Sequence, residues 1–228
     1  MKVNANLIRL ESLVGSDNID KISSKTVLII GIGGVGGYVA ESLTRAGVGT
    51  IIIIDPDKVD ESNLNRQIVS LYSTVGHYKV DVMSNRMADI NPNINIIAFK
   101  EFITKENIDE YIVDIDFVVD ACDTVLTKMA IIEKCNKENI NLISCMGTGN
   151  KMDPSRLKIV DIKKTEYDPL AKKLRKFVKD KRLKGKVMVV CSDEEKYTSN
   201  HNPMPSNSFV PAVAGMLCAS YVINEIVK

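Results

Sequence analysis

Short apolar runs alternate with amphipathic segments through the first two-thirds of the chain. The runs at 26–30 and 50–54 each consist of a threonine followed by aliphatic residues, which is typical of strands buried on both faces of a sheet. The pattern predicts further strands at 94–99, 117–120 and 142–145, and helices at 35–46, 79–90, 105–111 and 124–138. Strands that alternate with helices predict an α/β fold with a doubly wound, Rossmann-like and mostly parallel sheet.

The pattern changes after about residue 150. Strands are predicted at 157–162 and 186–191, and between them Asp168 and Pro169 have the features of an N-cap and a first helical residue. The helix at 169–183 has one apolar face and many lysines and arginines on the other. A polar loop at 194–208 leads to an apolar helix at 212–227. We interpret residues 1–228 as one domain, with a core at about 20–150 and a strand and basic-helix extension at about 151–228.

Composition narrows the class of protein. No apolar run in the 228 residues approaches the ~18 residues of a membrane span, and the run at 210–223 is interrupted by Pro211, Gly215 and Ser220, which predicts a buried or interface helix. The first residues lack the apolar centre of a signal peptide. The five cysteines form no C-x-x-C pair, which indicates reduced thiols and gives no support for a zinc site. We therefore expect a cytoplasmic protein with no membrane partner.

The net charge of +1 conceals an uneven distribution. Residues 151–186 contain 14 Lys or Arg against 5 Asp or Glu, a local charge of +9. Such a block favours an anionic partner, with nucleic acid first in order, but a solvated lysine-rich helix has the same composition. Charge by itself leaves both interpretations open.

A glycine-rich segment lies between the first predicted strand and the first predicted helix. GIGGVG at 31–36 fits the pattern G-x-G-x-x-G, in which glycines permit a tight turn and let phosphate oxygens approach N–H groups at a helix N-terminus. Asp55 follows the second strand, 19 residues after Gly36, where a carboxylate can bond ribose hydroxyls. The sequence therefore predicts a nucleotide site.

Several polar residues exceed what a dinucleotide-binding domain requires. Asn63, Asn65, Arg66 and Gln67 follow the second strand, Lys79 opens the next helix, and Asp123 follows the fourth strand. Arginine and lysine would neutralise a triphosphate, and a carboxylate could hold Mg²⁺. Hydride transfer needs none of these groups, so the pattern favours cleavage of ATP.

Two residues have both a functional and a structural interpretation. Cys191 could be a nucleophile, but a buried neutral thiol is favoured because nothing in the sequence marks it as activated. Lys128 could help to bind a substrate, but a solvated position on its helix is favoured.

Three segments together resemble the adenylation domains of the ubiquitin-activating E1 superfamily. They are 31–67, which contains GIGGVGG and NLNRQ, the segment around Lys79, and VDACDT at 119–124. Further segments are similar to one branch of that superfamily, the bacterial tRNA threonylcarbamoyladenosine dehydratases: RLESLVG at 9–15, DPLAKKLRK at 168–176 and SFVPAVAG at 208–215. The resemblance extends across almost the whole chain.

The resemblance implies an E1-type fold and a reaction. That reaction is the ATP-dependent dehydration of N6-threonylcarbamoyladenosine in a tRNA anticodon loop. The threonyl carboxylate would be activated as an acyl-adenylate, with ATP and Mg²⁺ as cofactors, and an internal attack would then close a ring with net loss of water. Because ring closure is unimolecular, the enzyme would mainly activate and orient its substrate.

The resemblance also implies roles for individual residues. The residues expected at the nucleotide are Arg9, Gly31, Gly33, Gly34, Gly36, Asp55, Asp57, Asn63, Arg66, Gln67, Lys79 and Asp123. Arg66, Lys79 and Asp123 would form the catalytic set, and Asp123 would lie beside Mg²⁺. In this superfamily an arginine like Arg9 often reaches the nucleotide site of a neighbouring subunit, which implies a homodimer. With tRNA as the partner, the expected contacts are Lys172, Lys173, Arg175 and Lys176.

Three other functions are compatible with parts of the sequence pattern. An adenylyltransferase that activates the C-terminus of a ubiquitin-like sulfur-carrier protein would use the same nucleotide site, although the missing zinc pairs and the basic segment count against it. A NAD-dependent dehydrogenase and a non-catalytic, nucleotide-sensing tRNA-binding module are weaker alternatives. A sulfur-relay protein or another protein partner is left open by the sequence.

Overall fold

A single seven-stranded sheet organises the chain. The computed structural model describes residues 5–195, 197 and 203–228. The strands are β1 (Thr26–Ile30), β2 (Thr50–Ile54), β3 (Asn95–Phe99), β4 (Phe117–Asp120), β5 (Asn141–Cys145), β6 (Leu157–Asp161) and β7 (Met188–Ser192). The helices among the described residues are α1 (Ile8–Val14), α2 (Ser16–Ser23), α3 (Gly36–Arg45), α4 (Lys79–Ile90), α5 (Ile108–Tyr111), α6 (Val125–Glu138), α7 (Pro169–Asp180) and α8 (Phe209–Ile226).

The order of strands across the sheet is β3-β2-β1-β4-β5-β7-β6. All neighbours pair in parallel except β6 and β7, which are antiparallel and form one edge. The strand order reverses direction between β1 and β4, and in such sheets ligands bind at the carboxyl ends of the strands beside this switch point. The prediction of a doubly wound, mostly parallel sheet is confirmed.

Side chains of the central strands alternate between two hydrophobic layers. Val27 and Ile29 of β1 face the layer that contains α3, α4 and α8, whereas Leu28 and Ile30 face the layer that contains α5 and α6. Successive side chains on a strand point to opposite faces, so a strand covered on both faces must be apolar throughout. This burial explains the uninterrupted aliphatic runs in β1 and β2.

Most predicted elements occur within a few residues of their predicted bounds, with three differences. The basic helix α7 ends at Asp180 and not at 183, since Arg182 has a φ of 53° and lies in the left-handed region. Helix α5 covers only four residues, Ile108–Tyr111. No element was predicted in the first 25 residues, yet α1 and α2 form there. The predicted loop at 194–208 lies partly outside the described residues.

Helix α8 packs one face against α3 and the sheet. By length and composition it could cross a membrane. Gly215 of α8 nevertheless lies so close to α3 that a Cβ atom would stand 2.9 Å from the Cβ of Tyr38, and Val210, Ala214, Cys218 and Val222 are fully buried. One face of α8 is therefore buried, in agreement with the prediction of a buried or interface helix.

We predict that Gly36→Ala destabilises the protein by about 3 kcal/mol or more, because the new Cβ would overlap the backbone carbonyl oxygen of Gly31. Gly33→Ala is the matched control, since its Cβ would have no neighbour closer than 3.8 Å, and it should cost less than about 1 kcal/mol. Urea unfolding of the two variants measures the difference. Equal stability of both variants would contradict the close approach of the two glycines.

Candidate functional site

The carboxyl ends of β1 and β4 meet in close backbone contact. Gly31 follows β1 with a φ of 92°, and a Cβ there would stand 2.8 Å from the carbonyl oxygen of Ala121, which follows β4. The N–H of Ala121 donates to the carbonyl of Ile30 at 2.9 Å. Only glycine combines this backbone angle with this proximity. The glycine turn and the loop that carries Asp123 therefore border one crevice.

Asp55 joins the end of β2 to the glycine turn. Its Oδ2 accepts a hydrogen bond from the N–H of Ile32 at 2.6 Å, and its Oδ1 accepts one from the N–H of Asp57 at 2.8 Å. Burial raises the pKa of Asp55, and Lys79 together with the two N–H donors offsets part of that rise. Each carboxylate oxygen has a second lone pair, so the ribose contact expected of Asp55 is compatible with this geometry.

Lys79 lies at the start of α4 and is held between two carboxylates. Its Nζ is 2.7 Å from Oδ2 of Asp57 and 3.9 Å from Oδ1 of Asp55. Lys58 pairs with Tyr78 in an antiparallel β-bridge, and the N–H of Lys79 donates to the carbonyl of Asp57. These contacts fix the backbone at Lys79. The ammonium is buried, whereas the Asp57 side chain is 63% exposed. One of the two carboxylates that hold Lys79 thus faces solvent.

The polar segment 60–67 forms a compact turn. Asn63 is buried and its Oδ1 accepts from the N–H of Asp60, while Asp60 accepts from the N–H of Ser62, so the pair caps the short 3-10 helix Glu61–Asn63. The side-chain carbonyl of Asn63 is thus engaged in the turn. Its Nδ2 has one long contact, 3.4 Å to the hydroxyl of Ser62, and remains suited to donate to a phosphate.

Asn65 connects this turn to the segment before α8. Its Oδ1 accepts from Nη1 of Arg66 at 2.8 Å, and its Nδ2 donates to the carbonyl of Ser206 at 3.2 Å. Arg66 also donates to the carbonyl of Ser62 at 2.8 Å. These bonds hold the guanidinium by a single nitrogen, Nη1. Asn65 belongs to the predicted polar cluster, but its bond to Ser206 was not predicted, because the two residues are 141 positions apart.

Gln67 lies beneath the glycine turn. It is buried, and its Nε2 is 3.8 Å from the position that a Cβ on Gly33 would occupy. Its Oε1 is a buried acceptor with no partner among the residues that the structure describes. Gly34 lies beside the Arg66 side chain and Pro211. The predicted residues Gly31, Gly33, Gly34, Gly36, Asp55, Asp57, Asn63, Arg66, Gln67 and Lys79 thus lie around the carboxyl edge of the sheet.

Asp123 is exposed at the same edge. Its only hydrogen bond within the described part of the chain comes from the hydroxyl of Thr124, at 3.4 Å, and it takes part in no ion pair there. A free carboxylate at a phosphate site suits a hard cation such as Mg²⁺, which prefers oxygen ligands and binds through one or two carboxylates and the substrate's phosphates. No cluster of three or more metal-binding side chains occurs in the described ranges.

The interpretation of Lys128 as a solvated residue is wrong. The side chain is 0% exposed and donates from Nζ to Oδ2 of Asp120 at 3.0 Å and to the carbonyl of Cys145 at 2.7 Å. The hydroxyl of Ser144 completes the cluster with a 2.6 Å bond to the same Oδ2. Burial lowers the pKa of Lys128, but the carboxylate of Asp120 more than offsets this, and the pKa lies above its ordinary value.

This buried pair sets the position of the loop that carries Asp123. The second oxygen of Asp120 accepts from the N–H of Cys122 at 3.3 Å and from its thiol at 3.1 Å. Lys128 meanwhile joins α6 to the end of β5. The sequence did contain a signal, since Lys128 lies at helical spacing from the apolar residues Ile131 and Cys135.

Arg9 is not brought to this site within its own chain. It is exposed in the first turn of α1, and the preceding Leu7 contacts Gly47, which lies before β2 at the amino-terminal edge of the sheet. The glycine turn lies at the opposite edge. Ile8 and Leu13 expose 52% and 81% of their surface on the same helix.

The basic helix α7 begins at the site edge of the sheet. Asp168 caps α7 through the N–H of Ala171 at 2.9 Å and accepts from the N–H of Gly147, just after β5, at 3.0 Å. Lys172, Lys173 and Lys176 are exposed on α7, and Arg175 is half-buried. None of these four forms a salt bridge with another described residue.

Cys191 is buried, as predicted. Burial, followed by the carboxylate of Asp168, raises the pKa of Cys191 to about 12. A thiol with such a pKa is protonated at neutral pH and is a poor nucleophile.

Comparisons with known proteins give the following similarities. Residues 5–228 match the ThiF family. The chain is 40% identical over 238 residues to the tRNA threonylcarbamoyladenosine dehydratase of Bacillus subtilis, which covers 96% of this chain and 94% of that protein. It is 34% identical to Escherichia coli tRNA N6-threonylcarbamoyladenosine dehydratase, TcdA, in complex with AMP, with a TM-score of 0.90 and coverage of 95% and 91%. The ATP complex of TcdA gives 33% identity, a TM-score of 0.89 and the same coverage.

The sulfur carrier protein ThiS adenylyltransferase of Escherichia coli is similar over a shorter segment. Its identity is 34% over 136 residues, which is 60% of this chain and 54% of that protein.

We predict that Lys128→Met destabilises the protein by about 3–5 kcal/mol, because it leaves the Asp120 carboxylate buried without its partner. The matched control is Lys134→Met on the same helix, whose partners Asp109 and Glu138 lie nearer the surface, and it should cost less than about 1 kcal/mol. The double variant Asp120→Asn/Lys128→Met should be more stable than Lys128→Met. Chemical unfolding measures all three, and equal losses in the two single variants would contradict the assigned role.

Proposed function

The chain belongs to the ThiF family, and we propose that it acts as an ATP-dependent tRNA threonylcarbamoyladenosine dehydratase. The near full-length similarity to proteins of that name supports this function. The structural observation that carries it is the hydrogen bond from the N–H of Gly147 to Asp168. This bond places the start of α7 at the same edge of the sheet as the nucleotide site, and the lysines and arginine of α7 form no salt bridge with another described residue.

The reaction has two steps in this proposal. The threonyl carboxylate attacks the α-phosphate of ATP, so that an acyl-adenylate forms and pyrophosphate leaves. A nucleophilic group of the same modified side chain then attacks the activated carbonyl carbon, closes the ring and releases AMP. The tRNA product is lighter than the substrate by one water.

The residues at the carboxyl edge divide this work. Asp55 binds the ribose, and the N–H groups of the glycine turn approach the α-phosphate. Arg66 and Lys79 neutralise charge on the phosphates as pyrophosphate leaves. Asp123 would hold Mg²⁺, which would supply further charge neutralisation on the phosphate oxygens. Asn63 donates from its amide, and Gln67 supports the turn.

Arg9 acts on a neighbouring subunit in this proposal, and the protein is a homodimer. The exposed Ile8 and Leu13 beside Arg9 and its distance from the glycine turn of its own chain support this arrangement. We also propose a cytoplasmic location, because the proposed substrate is a tRNA.

The activation of a sulfur-carrier protein is the less favoured function. The adenylyltransferase of that class is similar over 60% of this chain, compared with 96% for the Bacillus subtilis dehydratase. Adenylation of a carrier protein also gives no reason for the exposed lysines of α7, Lys172, Lys173 and Lys176, which form no salt bridge with another described residue.

The decisive experiment incubates the protein with ATP, Mg²⁺ and tRNA that carries threonylcarbamoyladenosine, then digests the tRNA and weighs the nucleosides. We expect a nucleoside lighter by one water, with AMP and pyrophosphate formed in equal amounts. ATP–pyrophosphate exchange that requires a carrier protein and not tRNA would instead support the alternative.

We predict that Arg66→Ala lowers kcat/KM for dehydration at least about 100-fold, because the variant loses a charged contact to the phosphates. Arg66 is partly exposed, so the unfolding midpoint should stay within a few degrees. Arg45→Ala, which removes an arginine paired with Glu41 on α3, is the control and should retain activity. An active Arg66→Ala enzyme would remove Arg66 from the catalytic set.

We predict that neutralising Lys172, Lys173 and Lys176 with glutamine weakens tRNA binding and makes it less dependent on salt, since each phosphate contact releases counterions. Binding of ATP should not change, because these side chains project from α7 into solvent. Filter binding of tRNA and calorimetry with ATP measure the two affinities. An unchanged affinity for tRNA would place the RNA on another surface.

A further inference from the structure

A second basic surface lies at the opposite end of α7. A groove of about 440 Å³ runs between α7 and the 3-10 helix Ile162–Lys164. We call it the distal groove. Its lining residues are Lys163, Arg175, Val178, Lys179, Arg182 and Leu183. Four of the six are basic and none is acidic. Val178 and Leu183 supply an apolar floor.

We propose that the distal groove binds a backbone phosphate of the tRNA stem, away from the modified nucleotide. This inference rests on the proposed function and adds a second contact area to it. The ligand is a phosphodiester group within an RNA helix, recognised by charge and without regard to base sequence.

The cations of the distal groove have no acidic partner. None of Lys163, Arg175, Lys179 and Arg182 forms a salt bridge with any residue in 5–195, 197 or 203–228. On the opposite flank of the helix end, Lys181 pairs with Glu133 of α6 at 2.9 Å. The structure therefore neutralises one flank and leaves the other charged. Positive charges that repel one another in the free protein are relieved when an anion binds between them.

Arg175 is held in place before any ligand arrives. Its Nη1 donates to the carbonyl of Thr165 and, at 2.5 Å, to the hydroxyl of the same residue. Thr165 is itself fixed through a 2.7 Å bond from its hydroxyl to the carbonyl of Ile162. A side chain ordered in this way loses little entropy when it binds. The remaining nitrogens of the guanidinium can pair with phosphate oxygens.

The position of the groove indicates which part of the RNA it contacts. Helix α7 starts beside Gly147 at the site edge, and its twelve residues span about 18 Å. Lys179 and Arg182 lie at the far end. A tRNA whose modified nucleotide lies beside the ATP in the nucleotide site reaches this end only through backbone farther along the molecule. Lys172 and Lys176, near the start of α7, would contact phosphates between the two points.

The test compares two double variants of equal charge. Lys179→Gln/Arg182→Gln removes two charges from the groove, and Arg175 is kept because it also holds Thr165. Lys21→Gln/Lys137→Gln is the control, since both lysines are exposed, unpaired among the described residues and absent from the lining of the groove. Affinity for full-length tRNA is measured as a function of KCl concentration.

We expect the groove variant to bind tRNA roughly tenfold more weakly at about 0.1 M salt, with a slope of log K against log salt that is shallower by about 1–2. The control should keep its slope and an affinity within about twofold. Dehydration should show a raised KM for tRNA with kcat unchanged. An oligonucleotide of the anticodon loop without the stem should bind the groove variant and the wild type equally.

Several results would overturn the proposal. They are an unchanged salt slope and affinity for tRNA in the groove variant, or an equal loss with the stemless oligonucleotide. Inorganic phosphate is a further probe: if only its binding depends on Lys179 and Arg182, the groove is a site for free anions. Wild-type protein that binds tRNA through the groove but forms no lighter nucleoside would defeat the proposed function and leave the groove intact as an RNA contact.

Discussion

The close approach of the backbone after β1 to the backbone after β4 is the constraint on which the rest of the site depends. Gly31 adopts a positive φ against the carbonyl of Ala121, and Gly36 starts α3 directly above Gly31. Because no side chain intervenes, the N-terminus of α3 points into the crevice where the strand order reverses. Asp55 then reaches the N–H of Ile32 and fixes β2 to the same turn. The glycines thus create the space, and the neighbouring strands define its walls.

Charged residues around this crevice fall into two groups with different physical roles. Asp120 and Lys128 are fully buried and satisfy one another with help from Ser144, so they hold the ends of β4 and β5 in one arrangement. Such a pair adds little net stability compared with apolar residues, but it disfavours other packings because either charge alone would be costly. Arg66 and Asp123 are exposed and keep unused hydrogen-bonding groups. A rigid buried network therefore positions groups that are free to contact a ligand.

Helix α7 extends the site in one direction. Its first turn is tied to Gly147 by the Asp168 carboxylate, and its apolar residues Leu174 and Val178 pack inward. Among the described residues, an acidic partner occurs on the α6 side, at Glu133, and none occurs on the side that faces Lys163. The net charge of the chain conceals this asymmetry, since acidic residues elsewhere balance the total. A polyanion that approaches the nucleotide site is attracted along α7 by uncompensated charge.

The sequence by itself determined the strands, the parallel α/β class, the glycine turn and most residues at its rim. The apolar runs of β1 and β2 stand directly in the sequence. The cap formed by Asp168 and the turn around Arg66 depend on interactions within a few residues, which local patterns report. Tertiary structure alone decided that Lys128 is buried, that Asn65 bonds Ser206, and that Arg175 is held by Thr165 while Lys181 pairs with Glu133. Each of these outcomes depends on which distant or adjacent element supplies the partner. A hydrogen bond or ion pair forms only where packing brings two groups within about 3–4 Å, and sequence spacing does not contain that distance.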